Sequence, residues 1–240
     1  MKRNIRVSAV SYTNTLPFLR GIKSASIMDQ IELTVDFPAE CARKVIVNEA
    51  DLGIVPVEAL LHIPHAQIVG DYCIGSEGAV DSVFIFSDKP IGEIESLRLD
   101  CQSRTSNGLA RILLKNFWKR DVSLVDKGSA DAYVLIGDRT FGKKNTVPYA
   151  YDLGYYWKEF TGLPFAYAVW VANKTLPESF VREFNDALGR GVAEPQAIME
   201  GLPEVDNFDY FTYLTENLDF HLTDKKREAI AKYLELYQEL

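Results

Sequence analysis

One pattern occurs twice in this 240-residue chain. A strand runs into a polar turn, a helix follows, and a segment of the form D-x-x-[IV] returns as a strand. The first copy runs from IRVSAVSYTNT to ADLGIV, the second from SLRLDCQSRTS to DAYVLIG. Strands alternating with helices in this way predict an α/β fold. Each copy also ends a strand on hydroxyl and amide side chains, at the carboxyl edge where open α/β sheets hold ligands. Two such edges turned toward one another make a cleft between two lobes.

The remaining segments extend this plan. IELTVDFP alternates Ile31, Leu33, Val35 and Phe37, and AQIVGDYCIGSEG and DSVFIFSDKP are two further strands. After Pro90 the pattern restarts. VFIFSDKP is expected to carry the chain out of the first lobe and FAYAVWVANK to bring it back. Residues 1–86 and 172–240 then form lobe 1, and residues 87–171 form lobe 2. PESFVREFNDALGRGVA, FDYFTYLTENL and DKKREAIAKYLELYQEL read as helices packed on the first lobe, the last capped by Thr223 and Asp224. This layout resembles the type-2 periplasmic-binding-protein fold.

Composition removes several classes of partner. The net charge is −8 and no Lys/Arg-rich run is present, which argues against nucleic acid and anionic membrane surfaces. Apolar runs fall short of the roughly 20 residues that span a bilayer. No signal-peptide core follows MKRNIRVSAV, so a cytoplasmic location is expected. Cys41, Cys73 and Cys101 form no C-x-x-C and read as three buried small hydrophobes. His62, His65 and His221 lack neighbouring carboxylates, so no metal is expected. No phosphate-binding glycine loop, G-x-S-x-G or H-E-x-x-H occurs, and no cofactor is expected.

Three turns could carry chemistry. In DCQSRTSNGLARILL, Ser103, Arg104, Thr105 and Ser106 open a helix, where backbone N–H groups and the positive helix end favour an anion. Arg104 could add a bidentate pair. The same spacing also reads as a plain serine cap beside an exposed arginine. In SYTNTLPF, Ser11, Thr13, Asn14 and Thr15 cluster before Leu16-Pro17, which also reads as a helix start with Thr15 as its cap. A helix cap needs one polar residue, and the surplus, chiefly Asn14, points to the cleft. In CIGSEGAVDSV, Gly75 and Gly78 allow close backbone approach, and Ser76 and Ser82 offer hydroxyls. Asp138, at the end of YVLIGD, is either a cleft acid or an Asp turn. The aromatics of YDLGYYWKEF, with Trp170, read as core and hinge packing.

In combination these turns resemble one family. VSAVSYTNTLPF is similar to the opening GxVSYLNTxPL of the chorismate dehydratases of the futalosine route to menaquinone. DLGIVPVE, DYCIGSEGAVDSV, LDCQSRTSNGLARILL, AYVLIGD and YDLGYYWKEFTGLPFAYAVWVA follow in that family's order, from residue 5 to about 173. Thr13 stands where the family usually has leucine, and Asn107-Gly108 follow SRTS. The resemblance implies that chorismate, a small dicarboxylate, loses water to give 3-[(1-carboxyvinyl)oxy]benzoate without a cofactor. It implies Asn14 and Ser82 (or Ser76) as the residues at the reacting groups. Ser11, Tyr12, Thr13, Ser76, Asp138 and the Ser103–Ser106 turn would hold substrate, and a substrate carboxylate would take the ring proton.

The related 1,4-dihydroxy-6-naphthoate synthases open on a pattern resembling SPCPNDT and carry a candidate catalytic histidine. SYTNT lacks that pattern. A solute- or carboxylate-binding protein of the same fold, without catalysis, remains the other reading. The oligomeric state is left open.

Overall fold

In the computed structural model, which describes residues 4–240, the first half alternates strands and helices. Its elements are β1 (Ile5–Val10), α1 (Leu16–Lys23), β2 (Ile31–Asp36), α2 (Pro38–Ile46), β3 (Leu52–Pro56) and β4 (Gln67–Ser76). The second half holds β5 (Val83–Ser87), β6 (Ser96–Arg98), α3 (Arg104–Ile112), β7 (Ser123–Val125), β8 (Ala132–Ile136), β9 (Tyr149–Asp152) and α4 (Leu153–Thr161). β10 (Phe165–Ala172) leads the chain back to α5 (Glu178–Val192), α6 (Pro195–Met199), α7 (Tyr210–Thr212), β11 (Asp219–His221) and α8 (Asp224–Gln238).

Two mixed sheets result. The first has the order β11-β4-β10-β3-β1-β2, the second β7-β6-β8-β5-β9. β1 pairs in parallel with β2 and β3, and β10 pairs antiparallel with β3 and β4. The Leu52–Pro56 strand is buried throughout, as a continuous apolar run in a sheet covered on both faces must be.

The chain crosses between sheets after Ser76 and returns after Asp152. β5 pairs only within the second sheet, and β10 only within the first. Lobe boundaries at 86/87 and 171/172 would therefore cut through these two strands. An apolar strand carries no mark of which sheet it joins, and the crossings lie ahead of the two strands, at residues 77–82 and across α4 at residues 153–164.

α1 begins with Pro17 in its first turn and buries Phe18, Leu19 and Ile22. It crosses α5 so closely that a Cβ on Gly21 would meet the Ala187 carbonyl, and one on Gly191 the Pro17 carbonyl. Phe18 meets Trp170 edge-on at 6.0 Å and Phe220 at 5.4 Å.

The C-terminal segment holds both lobes, not the first alone. The buried Tyr233 hydroxyl on α8 donates to the Thr105 carbonyl at 3.1 Å. Phe208 stacks on Phe141 of the second lobe at 3.7 Å. Amphipathicity predicts that a helix face is buried, but not against which partner. FDYFTYLTENL also departs from a single helix: the short α7 passes into a π turn at Tyr213–Asn217, and β11 then joins the edge of the first sheet. Cys41 and Cys73 are buried, and burial pushes both thiols up to about 12. Cys101, in contrast to the expectation, is exposed.

Candidate functional site in the cleft between the sheets

The ends of β1, β3 and β8 meet at one cleft, with Val10, Pro56 and Ile136 in its walls. The cleft holds about 570 Å³ of space between its walls, part of it open to solvent. Six of the residues singled out from the sequence line it: Tyr12, Asn14, Ser82, Ser103, Thr105 and Ser106. Apolar groups, among them Ile54, Ile74 and Val80, supply most of the remaining wall. Among the described residues, no charged side chain lines it.

The SYTNT turn supplies one wall. Its 3-10 turn at Thr13–Thr15 leads into α1, and Asn14 Oδ1 accepts the Thr15 hydroxyl at 3.1 Å. Thr13 does not line the cavity. Its N–H and hydroxyl donate across the cleft to Asp138, the N–H at 3.1 and 3.2 Å and the hydroxyl at 3.0 Å. Burial pushes the Asp138 carboxyl up, and the bonds from Thr13 partly offset this. Asp138 is thus a partner for the opposite lobe and not a wall of the cavity. Ser11 is exposed and outside the cavity. Tyr12 reaches Gln102 of the second lobe through its hydroxyl, and its ring covers Gly137. Gly137 sits at φ +63°, a left-handed conformation that suits glycine.

The α3 turn supplies the facing wall. Ser103 caps the helix by accepting the Ser106 N–H at 3.1 Å. Thr105 Oγ1 accepts the Glu58 N–H at 3.2 Å, a further bond between the lobes. Arg104 does not turn into the cavity. It is about half exposed and lies 3.8 Å from the buried Glu58, whose other oxygen contacts His62 at 2.9 Å, so this histidine, against the expectation, does have a carboxylate neighbour. The sequence left both a capping serine with an exposed arginine and an anion-holding arginine open, and the geometry is that of the first.

Ser82 sits in a tightly held loop. Asp152, half-buried at the end of β9, accepts the N–H groups of Val80 at 3.0 Å and Asp81 at 2.8 Å, and caps α4 through Tyr155 at 3.0 Å. Burial raises its carboxyl to about 6 despite these bonds. Asp81 is left-handed at φ +57° and is pinned by Lys144 at 2.8 Å. Strain of this kind persists only where surrounding bonds enforce it. Ser82 Oγ accepts the hydroxyl of Tyr213 at 3.0 Å. Ser76 turns back on its own loop, donating to the Gly78 carbonyl at 2.8 Å, and does not line the cavity.

Two cavity groups were missed in the sequence. Tyr167 lines the cleft from β10, and its buried hydroxyl has no protein partner. Its strand is apolar throughout, so nothing in the pattern separates it from core. Thr15 is the other, absorbed in the sequence as a helix cap.

A two-lobed α/β frame with a cleft at its strand ends is that of the periplasmic-binding-protein-like folds. Residues 5–239 match the family model described as menaquinone biosynthesis, and the chain belongs to that family. It is similar to the chorismate dehydratase of Thermus thermophilus, 24% identical over 82% of this chain and 83% of that protein. It is also similar to the 1,4-dihydroxy-6-naphthoate synthase of the same organism, 26% identical over 59% of this chain and 57% of that protein. Among solved structures, a protein of Archaeoglobus fulgidus superposes with a TM-score of 0.75 at 15% identity, covering 98% of this chain and 97% of the other. A Candida albicans protein described as having the generic periplasmic binding protein fold superposes at 0.65 with 12% identity, covering 99% and 90%. No helix among the described residues is long and apolar enough to cross a membrane.

Proposed function

We propose that this chain is a chorismate dehydratase, converting chorismate to 3-[(1-carboxyvinyl)oxy]benzoate and water. The observation that carries this reading is the meeting of Asn14, Ser82 and the start of α3 at one largely apolar cavity. The Thermus relative of that name supports it.

In the reaction a ring C–H bond breaks, its electron pair becomes a ring double bond, and the 4-hydroxyl leaves with a proton as water. Aromatisation drives the step. The protein therefore has to hold a dianion, orient the leaving oxygen and keep the ring dry. The start of α3, with the hydroxyls of Ser103, Thr105 and Ser106, suits one carboxylate through the positive helix end. Arg104 stays outside, so the anion is held by dipoles and hydroxyls, which act strongly in a water-poor cavity. Asn14 orients or polarises the reacting group, and Ser82 hydrogen-bonds the leaving oxygen. With no carboxylate, histidine or lysine among the cavity walls of the described residues, a carboxylate of the substrate takes the ring proton. Closure of the two lobes over the ligand would exclude water from the reacting groups.

The 1,4-dihydroxy-6-naphthoate synthase reading would need a histidine at the cleft. His62 contacts Glu58, His221 lies against Tyr72 at 5.3 Å, and none of the three lines the cavity. Parallel incubations with chorismate and with cyclic de-hypoxanthine futalosine test the choice. Turnover of chorismate alone is expected. Turnover of the futalosine compound alone would move the chain to the synthase, and binding without turnover would make it a carboxylate-binding protein.

A further inference from the structure

The residue that fixes the Ser82 hydroxyl comes from the C-terminal segment, which the sequence reads as packing. Tyr213 is fully buried at the head of the Tyr213–Asn217 π turn. Such turns, rare in helices, recur at functional sites. Its N–H donates to the Asp209 carbonyl at 3.0 Å, and its carbonyl accepts the Leu218 N–H at 3.0 Å. Its ring is held between Phe141 at 5.2 Å and Phe208 at 5.3 Å. Backbone and ring are both fixed, so the hydroxyl has one place to be. That place is 3.0 Å from Ser82 Oγ and beside the Asn14 amide.

The direction of this bond has a consequence. Of the two hydroxyls the phenol is the more acidic and so the stronger donor, and Tyr213 gives its hydrogen to Ser82 across the 3.0 Å contact. Ser82 Oγ accepts that hydrogen bond, and its own hydroxyl hydrogen has no acceptor among the described residues. The Ser82 proton is then turned to the remaining open side, which is the cavity. A hydroxyl that already accepts one hydrogen bond is also polarised toward donating another. We infer that Tyr213 is a positioning residue, setting Ser82 as a hydrogen-bond donor to the leaving oxygen while it flanks Asn14. The inference rests on the reading of Ser82 and Asn14 as the reacting pair.

Tyr213→Phe keeps the ring and its packing and removes only the hydroxyl. The variant is compared with wild type, Ser82→Ala and the double variant, all on chorismate, with thermal midpoints measured alongside. For Tyr213→Phe, kcat is expected to fall on the order of tenfold, as befits one buried hydrogen bond, with KM within about twofold. The double variant is expected to be no slower than Ser82→Ala, because the hydroxyl acts only through Ser82. Unchanged kcat in Tyr213→Phe, or a double variant slower by the product of the two single effects, would overturn the inference. A fall in thermal midpoint with kcat intact would leave Tyr213 as packing and likewise overturn it. Wild-type protein that does not dehydrate chorismate would instead remove the functional reading on which it stands.

Discussion

Thr13 and Asp138, 125 positions apart in the chain, are joined across the cleft by three hydrogen bonds. Two come from one N–H shared between the carboxylate oxygens, at 3.1 and 3.2 Å, and the third from the hydroxyl at 3.0 Å. The Thr13 hydroxyl thus ties lobe to lobe. Thr13→Val keeps the shape and removes the hydroxyl. A hydrogen bond to a charged group is worth about 1.5–3 kcal/mol, and the unfolding free energy should fall by about that much. The Asp138 carboxyl, already pushed up by burial, should rise further once a donor is lost. Denaturant titration and carbon NMR of the carboxyl check the two effects, and no change in either would mean the contact is idle.

Asp152 makes stability depend on pH in an unusual sense. Its carboxyl titrates at about 6 in the folded chain against an ordinary 3.8, because it is buried. The folded state therefore holds this proton more tightly, and the stability so gained is present below about pH 4 and lost as pH rises through about 6. A gap of about two pH units, at 1.36 kcal/mol each, is on the order of 3 kcal/mol. The difference in unfolding free energy between wild type and Asp152→Asn should shift by up to that amount against wild type from pH 4 to pH 7. Asp51 runs the other way. Bonds from Arg6 and Lys174 outweigh its burial and hold it well below the carboxylate range, so only the difference between the two proteins isolates Asp152.

Much of this was legible because chemistry and local structure coincide in the same turns. Asn14 stood out as a polar residue beyond what capping needs, and Ser103 as a cap at a strand end. Both line the cavity. Arg104 could not be settled, since its direction depends on Glu58, distant in sequence and buried at the lobe junction. Tyr167 sits in a strand with no polar alternation, and Tyr213 in a stretch whose aromatics mark burial without naming a partner. Sequence periodicity records which side of an element is dry. It does not record which dry side faces a ligand, nor which sheet β5 and β10 join.

Gly137 shapes the cavity wall. A Cβ there would stand 3.0 Å from the Tyr12 ring, on a backbone at φ +63° that side chains resist. Gly137→Ala should lower stability by roughly 1–3 kcal/mol and displace Tyr12 from Gln102. Denaturation and tyrosine fluorescence report the two effects. A variant with wild-type stability would show that the ring is free to give way.

Lys226 is buried on α8 with no exposed surface. Its ammonium donates to the Asp219 and His221 carbonyls at 2.8 and 2.9 Å and pairs with the Asp219 carboxylate at 2.9 Å. Lys226→Met fills the same volume but strips three acceptors of their donor, and should cost about 3 kcal/mol or more. The loss should appear as early hydrogen exchange in β11 and α8. Unaltered exchange would mean that packing alone holds this segment.

The most direct test of the account is product analysis by mass after incubating chorismate with wild-type protein and with Asn14→Ala. The account predicts that wild type converts chorismate to a species lighter by one water, identified as 3-[(1-carboxyvinyl)oxy]benzoate, and that Asn14→Ala, folded by its thermal midpoint, loses at least about a hundredfold in kcat, as for a preorganised dipole at the reacting centre. Chorismate left intact by wild type, or converted equally fast by Asn14→Ala, would contradict it.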